Sequence, residues 1–208
     1  MKPEFNLPNM ITASRIVLTP VFIFLMVSSD GILVQCAAAV FLIAAISDWY
    51  DGWYARRYNE TSAFGRFFDP LADKVLTGAA FFAFVFLDVL PLWMVIITVG
   101  RDFLVTLLRV AADRRHMPVV TSRLAKIKTA MQLVFLWYIV AIHTMNSIVW
   151  IRTSLSTKTL AALADPWVVL GSMFVLTALS VITFAQYLLE NRHLLRILIN
   201  GNYARTTS

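Results

Sequence analysis

The amino-acid sequence predicts an all-α integral membrane protein, a bundle of six transmembrane helices with a short amphipathic segment at its N-terminus. Of the 208 residues, 59% are hydrophobic and 14% are charged, whereas soluble domains carry roughly 45–50% and about 25%. The apolar residues form blocks close to the length of about 20 residues that a helix needs to cross a bilayer. Short polar joints separate the blocks and leave no room for a soluble domain, so we expect one membrane domain over residues 1–208.

Breakers between the apolar blocks define the six predicted spans. Glycine, proline and charged residues interrupt the apolar pattern at the joints. The predicted spans are 11–28, 33–57, 65–87, 92–112, 125–148 and 166–189. A long joint runs from His143 to Pro166. No small-residue cleavage site follows the first block, so we expect the first span to be retained and not removed as a signal peptide.

Positively charged residues collect on one side of these spans. That side holds Lys2, Arg15, Arg56, Arg57, Arg66, Arg114, Arg115, Arg123, Lys126, Lys128, Arg192, Arg196 and Arg205. The opposite joints hold only Arg152 and Lys158. Because cytoplasmic loops retain Lys and Arg, both termini are predicted to face the cytoplasm. The net charge of +6 then suits anionic lipid head groups, and no nucleic-acid recognition module is present.

Four aspartates lie at the predicted cytoplasmic ends of the second and third spans. Asp48 and Asp51 are three residues apart, and Asp69 and Asp73 are four apart, so each pair shares one helix face. A short loop joins the two helices, which are therefore expected to be antiparallel neighbours with converging aspartate pairs. Small residues that leave room for a ligand on these faces are Gly52, Ala55 and Gly65.

Carboxylates crowded at the edge of hydrocarbon require protonation, pairing or bound cations. All-oxygen ligation without His or Cys selects Mg²⁺ or Mn²⁺, and Mg²⁺ completes its coordination with phosphate oxygens and water. The site therefore predicts a phosphate-bearing substrate. Arg56 is placed where its guanidinium could hold a diphosphate through two hydrogen bonds. The alternative is a solvated network of helix-end ion pairs, in which the aspartates pair with Arg56, Arg57, Arg66 and Lys74.

The pattern Asp48-x-x-Asp51-Gly52-x-x-Ala55-Arg56, eight residues, then Gly65-x-x-x-Asp69-x-x-x-Asp73 resembles the signature of the CDP-alcohol phosphatidyltransferases at all eight fixed positions. The resemblance implies two divalent cations shared by Asp48, Asp51, Asp69 and Asp73, with Asp73 also the general base. It further implies that the CDP part of the donor is held by Gly52, Ala55, Arg56 and Gly65. The expected reaction is a direct in-line displacement in which an alcohol attacks the diphosphate, giving a phosphodiester and CMP.

A second group of charged residues bears on which alcohol attacks. Arg101 and Asp102 lie inside the fourth span, where ionisable groups are costly and usually face an internal cavity. Arg109 follows two turns later, and Lys126 and Lys128 open the fifth span. A cationic cluster beside a metal site suits an acceptor that carries a phosphate. The two lysines are two residues apart on a helix, so we expect only one of them to face a given ligand atom.

Further stretches resemble one branch of that family, the bacterial phosphatidylglycerophosphate synthases. These are "NLPNMITASRIVLTPVFIF" from Asn6, "FDPLADK" from Phe68, "GRDFLVTLLR" from Gly100 and "SRLAKIKTAMQ" from Ser122. The resemblance implies transfer of the phosphatidyl group from CDP-diacylglycerol to sn-glycerol 3-phosphate, at an active site on the cytoplasmic face of a bacterial cytoplasmic (inner) membrane. It makes Arg101, Arg109, Lys126 and Lys128 candidates for the acceptor phosphate and places Asn9 and Arg15 near the donor. Homodimers are common in the family.

Several alternatives remain open at this point. The acceptor in the same chemistry is alternatively an inositol phosphate, serine or phosphatidylglycerol. Membrane prenyltransferases also use Asp-rich helices with Mg²⁺ on a diphosphate, but they carry two separate motifs on distant helices. A divalent-cation transporter is the non-enzymatic alternative, and it is expected to place its acidic ligands near the bilayer midplane.

Overall fold

A computed structural model of the chain describes residues 7–58, 65–113, 117, 119–148, 150 and 162–193, with side chains for these ranges except 7–14, 48–58, 65–70 and 73. Six helices account for the regular structure of the described ranges. They are α1 (Leu7–Met26), α2 (Gly31–Tyr58), α3 (Gly65–Phe86), α4 (Leu92–Asp113), α5 (Arg123–Ser147) and α6 (Pro166–Glu190). The all-helical prediction is therefore confirmed for these ranges, and each predicted span corresponds to one helix.

Two predicted boundaries need correction. α1 begins at Leu7, four residues before the predicted first span, because a proline such as Pro8 is well tolerated in the first turn of a helix. From residue 7 onward, the predicted amphipathic N-terminal segment is therefore part of α1. Residues 1–6 lie outside the described part of the chain. His143 does not begin a joint, since α5 continues to Ser147.

Side-chain caps explain where the later helices begin. The Ser122 hydroxyl accepts a 3.2 Å hydrogen bond from the Ala125 amide and starts α5. Asp165 accepts a 2.8 Å bond from the Trp167 amide, with Pro166 in the first turn of α6. Both caps satisfy amides that have no partner within the helix. They fix the first turn of two helices that line the site described below.

One residue of the turn between α3 and α4 has a left-handed backbone conformation. Asp88 has a φ of 55°, a conformation that Asp and Asn tolerate better than most residues. The amides of Val89 and Leu90 both bond back to the Phe84 carbonyl, at 2.9 and 3.1 Å. The short turn places α3 and α4 side by side.

The principal helix contacts close a ring. α1 packs on α2 and on α3, α3 packs on α4, α4 on α6, α6 on α5, and α5 on α2. Close approach of α3 and α4 requires Gly78, because a Cβ at this position would lie 2.9 Å from Val99 Cγ1. The Thr98 and Thr177 hydroxyls meet at 3.4 Å between α4 and α6, a polar contact of the kind that joins helices in membranes.

The apolar core lies between these helices and is rich in aromatic rings. Phe22 of α1 packs on Phe41 of α2, with ring centroids 5.3 Å apart, and Phe41 packs on Trp137 of α5 at 4.9 Å. These tilted geometries are favourable for aromatic pairs. The rings link α1, α2 and α5.

The surface of the helices is strongly apolar. α4 buries Thr98, Arg101 and Asp102, while its exposed residues include Trp93 and Leu104. Large apolar side chains that are exposed while charged ones are buried fit a lipid-facing exterior. By length and composition, α5 and α6 are able to cross a membrane, and shorter apolar runs occupy Arg15–Met26, Gly31–Ser47 and Lys74–Phe86.

Candidate active site

The signature residues occupy two helices, as the sequence predicts. Asp48 and Asp51, together with Gly52, Ala55 and Arg56, lie in α2, and Gly65, Asp69 and Asp73 lie in α3. The helical backbone gives each aspartate pair positions on one face of its helix. The side chains of these eight residues lie outside the described set, so their convergence and their metal-binding and CDP-binding roles stay predictions. Within the described side chains there is no cluster of three residues able to hold a metal ion.

A cavity of about 500 Å³ lies between α4, α5, α6 and the joint that connects α4 to α5. Its lining residues are Arg101, Val105, Arg109, Val119, Thr121, Ala125, Lys126, Thr129 and Tyr187. The volume falls within the range of about 300–1,000 Å³ that is usual for small-molecule sites. Three of the four residues predicted to bind an acceptor phosphate line this one cavity.

Helical spacing places these groups together. Arg101, Val105 and Arg109 follow one another at intervals of four along α4 and so share a face. Ala125 and Thr129 have the same spacing on α5, beside Lys126. Arg109 donates a 3.2 Å hydrogen bond from Nη2 to the Thr121 hydroxyl, which ties the guanidinium to the joint.

The fourth predicted phosphate ligand, Lys128, is placed differently. It is fully buried at 0% exposure, and its ammonium donates to Asp102 Oδ1 at 2.7 Å and to Gln132 Oε1 at 2.5 Å. Lys126 is exposed and lines the cavity. The two lysines therefore point in different directions, as their two-residue spacing predicts.

Asp102 connects the buried lysine to the cavity. The carboxylate oxygen that accepts from Lys128 also accepts a 3.1 Å bond from Arg101 Nη1. Arg101 is 8% exposed and Asp102 is 5% exposed. The trio carries two positive charges and one negative charge, so it keeps a net positive charge beside the cavity. Within the described chain, the Nε and Nη2 atoms of Arg101 are buried without a hydrogen-bond partner.

The charged trio also lies near α3. The ammonium of Lys74 is close enough to interact electrostatically with both Asp102 and Lys128. Lys74 directly follows Asp73 in the sequence, and α3 packs directly on α4. The cationic cluster of α4 and α5 thus lies next to the helix that carries half of the aspartate motif.

A buried asparagine holds the wall of the cavity. Asn191, directly after α6, accepts a 3.1 Å bond from the Val120 amide and donates a 3.2 Å bond to the Val120 carbonyl. Its amide group also donates to the Tyr187 carbonyl at 3.0 Å. These bonds fix the joint, and with it Val119 and Thr121, against the end of α6.

Sequence reasoning missed Tyr187, Thr121 and Asn191. The two residues predicted near the donor, Asn9 and Arg15, both lie in α1. The Asn9 side chain lies outside the described set, and Arg15 is 2% exposed.

The chain matches a known protein family over most of its length. A family model described as CDP-alcohol phosphatidyltransferase matches residues 5–158. This range includes both aspartate pairs, α4 and all of α5, but it does not reach α6.

Curated relatives are similar over most of their length. A protein of Bacillus subtilis (strain 168) named CDP-diacylglycerol–glycerol-3-phosphate 3-phosphatidyltransferase is 42% identical over 142 residues, covering 62% of this chain and 74% of the relative. Proteins with the same name from Rickettsia prowazekii (strain Madrid E) and Salmonella paratyphi A (strain ATCC 9150 / SARB42) are 37% and 34% identical. Each of these two alignments covers 64% of this chain, and they cover 74% and 75% of the respective relatives.

Proposed function

The chain belongs to the CDP-alcohol phosphatidyltransferase family, and we propose that it transfers the phosphatidyl group from CDP-diacylglycerol to sn-glycerol 3-phosphate, giving phosphatidylglycerophosphate and CMP. The single observation that carries the choice of acceptor is that Arg101, Arg109 and Lys126 line one cavity. Three cations around one small cavity favour an acceptor with a phosphate dianion. The names of the similar bacterial proteins agree with this acceptor.

The donor site is assigned to α2 and α3. Four carboxylates at helical spacing, with no His or Cys among them, form a set of metal ligands that fits two Mg²⁺ or Mn²⁺ ions. Such ions, when bound, neutralise charge on the diphosphate and on the departing CMP. Arg56 adds a guanidinium for the diphosphate, and the space for the nucleotide is provided by Gly52, Ala55 and Gly65. Asn9 and Arg15 of α1 are proposed to lie near the same donor.

The chain's own residues then perform the transfer. Arg101, Arg109 and Lys126 hold the acceptor phosphate and so fix the distance from its free hydroxyl to the donor. Asp73 takes the proton from that hydroxyl as the oxygen attacks the phosphorus. The bond from phosphorus to the CMP oxygen breaks as the new ester bond forms. Lys128 contributes indirectly, because it orients Asp102 and through it Arg101.

The proposed donor, CDP-diacylglycerol, is a membrane lipid. We propose that all six helices cross the cytoplasmic membrane of a bacterium, with both termini and the active site on the cytoplasmic side. The apolar exterior of α4 and the length of α5 and α6 support the location. The excess of Lys and Arg on one side supports the orientation.

Incorporation of labelled glycerol 3-phosphate tests the reaction. Purified protein in liposomes that contain CDP-diacylglycerol and Mg²⁺ should move the label into the chloroform-soluble lipid, and a chelator should stop it. Arg109→Met should raise the KM for glycerol 3-phosphate at least tenfold, since a charge-assisted bond contributes about 1.5–3 kcal/mol. Arg123→Met is the matched control, because Arg123 is exposed and does not line the cavity. Label that stays water-soluble in every sample would overturn the proposal.

A further inference from the structure

Tyr187, in the last turn of α6, has a buried hydroxyl that forms no hydrogen bond within the described part of the chain. The residue is 5% exposed and lines the cavity. Its hydroxyl oxygen has no hydrogen-bond partner in the described part of the chain. Buried polar atoms almost always have a partner, so an unpaired one calls for an explanation.

The position of Tyr187 does not depend on the hydroxyl. Its carbonyl accepts bonds from both the backbone amide and the side-chain amide of Asn191, at 3.1 and 3.0 Å. Asn191 is in turn bonded to Val120 of the joint. These backbone contacts therefore hold Tyr187 at the cavity wall, and the hydroxyl is left for another partner.

The groups around that hydroxyl identify the kind of partner. The guanidinium groups of Arg101 and Arg109 are both close enough to interact electrostatically with it. Arg101 lines the same cavity, and its Nε and Nη2 atoms are buried without a hydrogen-bond partner in the described part of the chain. Guanidinium nitrogens only donate hydrogen bonds, and a tyrosine hydroxyl is able to donate one. A ligand that meets these groups must supply several acceptor oxygens and negative charge, as a phosphate does.

We infer that Tyr187 is an acceptor-binding residue, whose hydroxyl donates a hydrogen bond to the phosphate of glycerol 3-phosphate beside Arg101 and Arg109. The inference rests on the proposed function and adds a neutral donor from α6 to the cations of α4 and α5. A phosphate held from three helices is fixed in orientation as well as in position. Tyr187 lies beyond the residues that the family model covers.

Tyr187→Phe separates a binding role from a structural one. The KM for glycerol 3-phosphate should rise about tenfold, equivalent to about 1.4 kcal/mol, while kcat and the KM for CDP-diacylglycerol stay within about twofold. The melting temperature should hold or rise, because the variant loses an unpaired buried hydroxyl. A lower melting temperature with an unchanged KM would identify a structural residue and overturn the inference.

Tyr138→Phe is the matched control. The Tyr138 hydroxyl donates to the Leu163 carbonyl, and Tyr138 does not line the cavity. Removing this hydroxyl should therefore leave the KM for glycerol 3-phosphate unchanged. An equal rise in both variants would contradict a specific role for Tyr187.

A second acceptor locates the contact. 3-Hydroxypropyl phosphate keeps the attacking hydroxyl and the phosphate but lacks the central hydroxyl of glycerol. Tyr187→Phe should raise the KM for this compound by the same factor as for glycerol 3-phosphate. A rise with glycerol 3-phosphate alone would assign the tyrosine to the central hydroxyl and overturn the phosphate contact.

Inactivity of the unsubstituted protein with glycerol 3-phosphate would refute the proposed function, whereas normal activity with no effect of Tyr187→Phe would refute only this inference.

Discussion

Asp102 and Lys128 join α4 to α5 through a buried hydrogen bond of 2.7 Å between Oδ1 and Nζ. The same oxygen accepts from Arg101, so two cations share one carboxylate. Because Arg101 lines the cavity, this pair helps to hold a cationic group at the cavity wall.

Asp102→Asn should be strongly destabilising. It leaves two buried cations without their counter-charge, and breaking a buried pair in this way costs about 3–5 kcal/mol. Adding Lys128→Met should recover part of the loss, because it removes the uncompensated ammonium but keeps a similar volume. Unfolding in mixed micelles with SDS measures the free energy of unfolding of both variants. Asp113→Asn, at an exposed site at the end of α4, is the control. Additive losses in the double variant would contradict the coupling.

Substitution of Lys126 and of Lys128 by methionine should affect different properties, the KM in one case and the free energy of unfolding in the other. Lys126→Met should raise the KM for glycerol 3-phosphate about tenfold and change the free energy of unfolding by less than about 0.5 kcal/mol, because Lys126 is exposed at the cavity. Lys128→Met should lower the free energy of unfolding by about 1–3 kcal/mol, since it leaves Gln132 and Asp102 short of a buried donor. Steady-state kinetics and SDS unfolding distinguish them, and an unchanged free energy of unfolding in Lys128→Met would contradict a stabilising role for its buried hydrogen bonds.

Asp73→Asn tests the proposed general base. Turnover should fall at least 100-fold, the usual contribution of a positioned base, while CDP-diacylglycerol still binds. Stopped-assay kinetics and equilibrium binding of the donor give the two values. Asp88→Asn is the control, because the turn after α3 accepts Asn at its φ of 55°. Near-normal turnover in Asp73→Asn would remove Asp73 from this role.

Asn191→Leu tests whether the joint between α4 and α5 is held from α6. The substitution keeps the approximate size but removes both side-chain bonds to Val120. The free energy of unfolding should fall by about 1–3 kcal/mol, and the KM for glycerol 3-phosphate should rise several-fold because Val119 and Thr121 lose their fixed position. Asn146→Leu, at an exposed site on α5, should change neither. Unaltered kinetics in Asn191→Leu would show that the joint holds its shape without this residue.

The helices were predictable because the signals for them are local. Apolar length and breakers such as Pro91 and Pro166 place each helix within a few residues. The aspartate motif is equally local, since eight fixed positions lie within 26 residues. Its assignment to α2 and α3 needed no tertiary information.

The details of the cavity depend on contacts between residues that are distant in sequence. Lys128 and Asp102 are 26 residues apart, and only packing shows that they bond to each other. Asn191 and Val120 are 71 apart, and a lone Asn after an apolar span has the appearance of an ordinary loop residue. A single tyrosine near the end of a span, such as Tyr187, resembles an interfacial anchor. Composition alone gives no sign that its hydroxyl is buried and unpaired.

Release of CMP tests the central claim most directly. Purified protein in detergent, with CDP-diacylglycerol and Mg²⁺, is offered glycerol 3-phosphate, an inositol phosphate, serine and phosphatidylglycerol in separate reactions. We expect CMP release with glycerol 3-phosphate and none above background with the other three. Release with a different acceptor, or with none of the four, would contradict it.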